Sequence, residues 1–455
     1  MHNIIRYVFP ISVLMAMLTA TVSGDDWPQW LGPRGDGVWR EDGILSKFPA
    51  GGPPVKWRTR IGSGYSGPSV ANDSVYVTDL IKTDPAKPCE RILCLEADTG
   101  RIRWEYSYPC TYGSIGYGSG PRSSPAIKGD KVYTLGAMGD LLCLDSVTGK
   151  LLWQKNLPQE YGQKVPTWGF STQLLVDGAR LFCIVGGPGH AVVALDKDTG
   201  KELWRALSSG EPGYSAPIRR EINGKRELVV WHADGLAGLE PETGAVLWSA
   251  VYPSKMGMNI CTPAVSGDRV CVSGQWEGAA MFRILPGKTE PVLLWHFNNG
   301  ISPEKPFKVS GMHDVMGTIL FVGEQVYGVS MYGEFCGLDA ATGRRLWTSL
   351  DAAAVPEPKD KWFTAFIVPQ GQRCFVFTDR GDLIIARLSP SGYESVARTH
   401  LLDPDMPVGN RNVIWSHPAF ARRCIYVRTD SELVCFSLTA TAEERKGQSE
   451  ADSLH

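Results

Sequence analysis

The sequence predicts an all-β fold, an eight-bladed β-propeller of four-stranded antiparallel blades. Three observations carry the prediction. A turn-and-tryptophan phrase recurs along the chain, with Trp at 57, 104, 153, 204, 248, 295 and 347 in steps of 44 to 52 residues. A small residue opens each repeating unit in register. The last unit lacks a strand, and a strand-like segment near Trp57 lies upstream with no unit of its own.

The phrase is clearest at Leu144-Asp145-Ser146-Val147-Thr148-Gly149-Lys150-Leu151-Leu152-Trp153. It reads as a strand ending in Asp, a tight Thr-Gly turn, and a strand ending in Trp. Gly takes φ > 0 in the turn without a Cβ penalty, and the Asp and Thr side chains can bond the turn backbone. Further copies run Leu95 to Trp104, Leu195 to Trp204, Leu239 to Trp248 and Leu338 to Trp347. Upstream of each lies a Pro-led strand, a Gly-Asp-type turn and a second strand, as in Ser123-Ser124-Pro125-Ala126-Ile127 through Gly129-Asp130 to Val132-Tyr133. Four short strands joined by hairpin turns, repeating every 40–50 residues, make a propeller blade.

The units open at Pro68-Ser69-Val70, Pro125-Ala126-Ile127, Ser171 to Leu174, Pro217-Ile218, Pro263-Ala264-Val265, near Gly317 to Ile319, near Ala365 to Ile367, and at Pro418-Ala419-Phe420. The fifth replaces the Thr-Gly turn with Pro286-Gly287-Lys288 but keeps Trp295. The seventh has no Trp. The eighth stops at Cys435 to Leu438, three strands in. The orphan segment Val55 to Arg60, around Trp57, is therefore expected to complete it and close the ring, leaving no raw sheet edge there. The residues in register at the openings are Ser66, Ser123, Ser171, Ser215, Cys261, Val315, Thr364 and Ser416. All are small, as crowding around a central axis demands.

Residues 1–24 read as a signal peptide, with Arg6, an apolar stretch from Tyr7 to about Ala20, and small residues at Val22-Ser23-Gly24. Cleavage near Gly24 would deliver the chain to a periplasmic or extracellular space. No Cys follows the apolar stretch, which argues against a lipid-anchored precursor, and no later stretch is apolar enough to span a membrane. Residues 25–54 form an irregular, Trp-, Gly- and Pro-rich lead-in. The propeller spans 55–438, and the charged tail 439–455 is expected to be disordered.

The 455 residues are 43% hydrophobic and 21% charged, enough for a sizeable core, with a net charge of −2. No basic footprint for nucleic acid exists. Of 11 Cys, Cys94, Cys143, Cys183, Cys336 and Cys435 sit in apolar strand patterns and read as small buried hydrophobes. Cys89 and Cys110 lie in loops and are disulfide candidates. No zinc spacing, P-loop, Gly-x-Ser-x-Gly or His-Glu-x-x-His occurs.

The repeat Leu-x-Cys-Leu-Asp-x-x-Thr-Gly-Lys-x-x-Trp resembles the tryptophan-docking motif of pyrroloquinoline quinone (PQQ) quinoproteins and of BamB-type outer-membrane assembly propellers. The resemblance runs from Trp57 to Leu438. It implies that Trp57, Trp104, Trp153, Trp204, Trp248, Trp295 and Trp347 each lie between their own blade and the next. Trp27-Pro28-Gln29-Trp30-Leu31-Gly32-Pro33, Tyr214-Ser215-Ala216-Pro217, and Trp415-Ser416-His417-Pro418 with Ile425 to Arg428 resemble a narrower group of secreted PQQ-like repeat proteins. The resemblance specifies a fold and leaves the chemistry open.

It also raises PQQ and calcium as possible cofactors. Calcium needs several oxygen ligands, and the alcohol dehydrogenases of the family carry two adjacent cysteines that this sequence lacks. Candidate channel-mouth residues are Trp168, His232, Asp234, Asn259, Trp276, Glu277, His313, Asp314, Arg411 and His417. Asn259, Glu277 and Asp314 are the candidate cation ligands, and no catalytic residue is assigned. Trp168, Trp231, Trp276, Trp362 and Trp415 stand outside the repeat and draw notice for that reason. The favoured expectation is a monomeric, exported scaffold or binding protein of the cell envelope, with a protein, glycan or other envelope partner. The alternative is a PQQ- and calcium-dependent dehydrogenase of alcohols or sugars.

Overall fold

A computed structural model describes residues 25–82, 84, 87–113, 115–118, 120–297, 311–355, 362–441 and 444. The expected signal peptide, and the tail beyond 444, lie outside the described residues. Eight four-stranded antiparallel sheets follow one another in the order the repeat requires. Their innermost strands are Ser69–Ala71, Ala126–Lys128, Leu175–Asp177, Ile218–Ile222, Ala264–Ser266, Leu320–Val322, Ala365–Gln370 and Ala419–Ala421. The eighth sheet is completed by Val55–Arg60, which pairs with Glu432–Ser437. The chain thus closes its ring with its own N-terminal strand.

The burial of each strand follows from its place in a blade. Middle strands are covered on both faces by neighbouring blades and are apolar without alternation. Leu141, Leu142, Cys143 and Leu144 are all buried. Outer strands alternate, as in Ile102–Pro109. The buried cysteines behave as hydrophobes, and burial pushes the thiols of Cys143 and Cys183 up to about 12. Cys89 and Cys110 are free thiols, so the candidate disulfide does not form.

One feature recurs in all eight blades. The outer strand carries a bulge against the third strand. In the second blade Cys143 faces Trp153 and Leu144 faces Leu151, so Leu152 is the extra residue. A bulge re-aims the side chain beside it, here the Trp that follows. The extra residues are left outside, which accounts for the exposure of Leu152, Leu203 and Leu294.

The indoles reach across the seams. Nε1 of Trp57, Trp104, Trp153, Trp204, Trp295 and Trp347 donates to Ala97, Ser146, Lys197, Pro241, Ala340 and Ser389 of the following blade, at 2.9–3.1 Å. Trp248 also sits in a buried cluster shared by the fourth and fifth blades, and differs from the other six in its hydrogen bond. Its Nε1 donates to buried Glu227 of its own blade at 2.6 Å. The facing turn in the fifth blade is Pro286-Gly287-Lys288, and a Cβ on Gly287 would meet nothing within 4 Å. The altered turn offers Trp248 no platform.

Near the axis the small opening residues stitch blades together. Ser123 Oγ donates to Thr172 O at 2.9 Å, and Ser215 Oγ donates to Cys261 O at 3.0 Å. Arg428 of the eighth blade is fully buried, and its Nη1 and Nη2 donate to Thr78 O and Gly62 O at 2.7 Å each.

The lead-in is ordered, and it crosses one end of the axis. Trp27 bridges Val70 of the first blade, and Pro28 O accepts from Ile127 N of the second. Trp30 Nε1 donates to Thr262 Oγ1 of the fifth at 3.0 Å. Trp39 N donates to Pro369 O of the seventh at 2.8 Å. The start of the expected disordered tail is also held, since Ala440 N donates to Gly43 O at 2.8 Å. Two further elements had no signal in the repeat. They are a short helix, Leu157–Tyr161, and a hairpin, Met406–Val408 with Arg411–Val413, between the seventh and eighth blades.

Candidate binding site at the channel mouth

Strand direction sorts the loops into two faces. Turns within the first and second hairpins of a blade lie at one end. The middle turns, and the connections to the next blade, lie at the other, which is the mouth. A cavity of about 320 Å³ opens there.

Every blade contributes to its wall just before or at its innermost strand. Tyr65, Arg122, Trp168, Tyr214, Met258, Met316, Trp362 and Trp415 come from blades one to eight in turn. Trp276 is added from the middle turn of the fifth blade, and Trp30 of the lead-in lies on the floor. The repeat therefore aims eight equivalent connections at one point, and the fold turns scattered aromatic residues into a cup.

Of the expected mouth residues, Trp168, Trp276 and His417 line the cup. The others are turned away from it. Asn259 is fully buried and donates through Nδ2 to Trp231 O. His232 Nδ1 accepts from Asp234 N at 3.3 Å, and Asp234 Oδ2 accepts from Gly210 N at 2.7 Å. Glu277 Oε1 accepts from Lys255 N at 2.7 Å. His313 Nδ1 lies 3.0 Å from Gln275 O, and Arg411 Nη2 donates to Asp379 at 2.7 Å. In the connection into the fifth blade successive side chains point to opposite sides. Met258, Ile260 and Thr262 line the cup while Asn259 and Cys261 between them do not.

Asp314 is fully buried. Its Oδ1 accepts from Gly317 N at 2.8 Å and its Oδ2 from Val329 N at 3.3 Å. Burial pushes its carboxyl up to about 7. His417 is packed between Trp30 and Phe366, with centroids at 4.7 and 4.8 Å, and burial pushes its imidazole down to about 4. Its Nδ1 lies 2.5 Å from Pro418 O, which can only accept. The ring proton therefore sits on Nδ1, and Nε2 presents a lone pair with no described partner.

Arg122 is the residue that sequence reasoning passed over. It is 9% exposed, and its guanidinium lies 5.0 Å from the Tyr65 ring centroid. It donates to the carbonyls of Gly116, Tyr117 and Gly120. Among the described residues no carboxylate bonds it. Glu90 stands behind Tyr112, whose hydroxyl donates to it at 2.6 Å, and burial pushes the Glu90 carboxyl up.

Calcium with PQQ can be tested on these residues. Among the described residues no group of three or more His, Cys, Asp or Glu is placed to hold a metal ion. Both Asp314 oxygens accept from backbone N–H groups, while Asn259 Oδ1 and Glu277 Oε2 are buried with no described partner; none of the three side chains lines the cup. The cup has one guanidinium for a cofactor with three carboxylates. The residues do not fit the pair.

The family model described as outer membrane protein assembly factor BamB matches residues 89–349, more than half of the chain. The chain belongs to this BamB family of PQQ-like propellers. A relative, the outer membrane protein assembly factor BamB of Shewanella oneidensis, is 26% identical over 182 residues. That match covers 38% of this chain and 42% of the relative, so the chain spans under half the length of the relative it matches. BamB from Moraxella catarrhalis superposes with a TM-score of 0.56 at 14% identity, covering 85% of this chain and 99% of that one. The quinohemoprotein alcohol dehydrogenase ADHIIG from Pseudomonas putida HK5 superposes at 0.61 and 12% identity, covering 92% and 81%. At these identities the BamB family member shares a fold with both groups, and the comparison goes no further. Among the described residues no helix is long and apolar enough to cross a membrane.

Proposed function

We propose that this chain is an exported binding or scaffold propeller of the cell envelope that works through its mouth. The observation that carries the reading is the cup itself. Aromatic and methionine side chains, with Arg122 from the second blade, converge on it from around the ring, and none of Asn259, Glu277 and Asp314 lines it. Such a wall suits recognition, since aromatic rings and methionines offer large adaptable contact area. Membership of the BamB family supports an envelope location and a protein partner. The signal-like N-terminus supports export.

The mature chain incubated with PQQ and Ca²⁺ tests the reading against a dehydrogenase. No dye-linked oxidation of alcohols or aldoses is expected. Saturable, PQQ-dependent turnover would overturn the scaffold reading.

A further inference from the structure

The cup carries more information than its shape. Among the described residues lining it, Arg122 bears the single formal charge and no Asp or Glu is present. A guanidinium held in so dry a place, on carbonyl oxygens alone, is short of counter-charge. Arg has five N–H donors, and backbone carbonyls take three here. The indole N–H groups of Trp276 and Trp415 are buried without a described partner. Two acceptors in the cup, His417 Nε2 and Gln275 Oε1, are without a described partner as well, so the site offers donors and acceptors, one positive charge among its lining residues, and walls of flat apolar rings.

Resting on the proposed binding role, we infer that the cup takes a small ligand with a planar apolar body and one carboxylate, the carboxylate set against Arg122. A cavity of about 320 Å³ is at the small end of the range for small-molecule sites, roughly 300–1,000 Å³. The rings of Trp168, Trp276, Trp362 and Trp415 give the body offset or edge contacts. Low local dielectric strengthens the single ion pair. The one further cation near the wall among the described residues, Lys255, lies over the Trp276 ring at 4.4 Å, so a ligand with three carboxylates would bury at least one without a cation, which separates this ligand class from a tricarboxylate quinone.

Three probes that share a naphthyl body and differ in charge test the inference on the intact mature chain by tryptophan quenching and calorimetry. They are 2-naphthoate, 2-naphthylmethanol and (2-naphthyl)trimethylammonium. Naphthoate is expected to bind saturably, the neutral alcohol at least about tenfold more weakly, and the cation weaker still. R122M should bring naphthoate down to the level of the alcohol and leave the alcohol within about threefold. Because Arg122 also holds the carbonyls of Gly116, Tyr117 and Gly120, R122K is measured beside it. It keeps the charge and should retain part of the preference for naphthoate.

The inference is overturned if the alcohol or the cation binds as well as naphthoate, or if naphthoate does not saturate. Equal weakening of both probes by R122M in a chain whose near-ultraviolet dichroism is unchanged also overturns it. So does tighter binding of PQQ with Ca²⁺ than of naphthoate. PQQ-dependent turnover would strike the scaffold reading itself, whereas failure of naphthoate alone strikes only the ligand class.

Discussion

The Thr-Gly turn of the second blade lies flat on the tryptophan of the first. A Cβ on Gly149 would stand 2.6 Å from the Trp104 ring, and Trp104 Nε1 donates to Ser146 O of the same turn at 3.0 Å. Gly149 is at φ 71°, so a side chain there meets both backbone strain and a rigid ring. G149A should cost about 3 kcal/mol or more in denaturant unfolding. Gly287, at φ 70°, has the same backbone and open space. G287A should cost only about 1–2 kcal/mol. Equal losses would contradict the role given to the contact.

Arg428 joins the last blade to the first. Its three described hydrogen bonds go to the carbonyls of Thr78, Gly62 and Thr429. R428M removes all three bonds, leaving Thr78 O its bond from Ser66 Oγ, and should cost about 2–4 kcal/mol. The unfolding midpoint in guanidinium checks this, and an unchanged midpoint would show that strand pairing by Val55–Arg60 closes the ring alone.

His417 reports on the lead-in. Its folded pKa is lowered from 6.5 to about 4 by burial, so the native state binds fewer protons than the unfolded chain between those values. Stability is lost as pH falls through that window and is full above it. A nitrogen-detected titration should place the midpoint near 4. W30A removes a ring that packs on His417 at the cup floor, and should move the midpoint upward.

Asp314 has the opposite sign. Its pKa is raised from 3.8 to about 7 by burial, so the native state holds a proton that the unfolded chain releases. Its contribution falls as pH rises from about 4 to about 7 and is flat beyond. D314N should remove that slope from thermal melts taken across the window, while a slope unchanged in D314N would place it elsewhere.

The ring was legible because its seams repeat. Trp104, Trp153 and Trp204 meet equivalent turns, so their spacing survives even where strands are short. Trp248 keeps the seam position, in a buried cluster shared with the fifth blade, and lacks only the bond across it. Its spacing is regular while its platform, around Gly287, is gone. The mouth was half legible. Four of the five Trp outside the repeat, Trp168, Trp276, Trp362 and Trp415, line the cup, and only Trp231 is buried within its own blade. That set was the better guide. Polar residues were a poor one, because the connections send neighbours such as Met258 and Asn259 to opposite sides. Arg122 gave no signal, since its partners are the backbone carbonyls of Gly116, Tyr117 and Gly120, which any residue type supplies, and the ring of Tyr65 from the neighbouring blade.

The claim that the mouth is the working face can be tested directly. A photo-crosslinking side chain would replace Met256 at the mouth, where that residue is 58% exposed, or Val147 on the opposite face, where that residue is 78% exposed. Irradiation of cells exporting each variant is expected to give a discrete envelope adduct from position 256 and none from position 147. An adduct formed from position 147 and absent from position 256 would contradict the account.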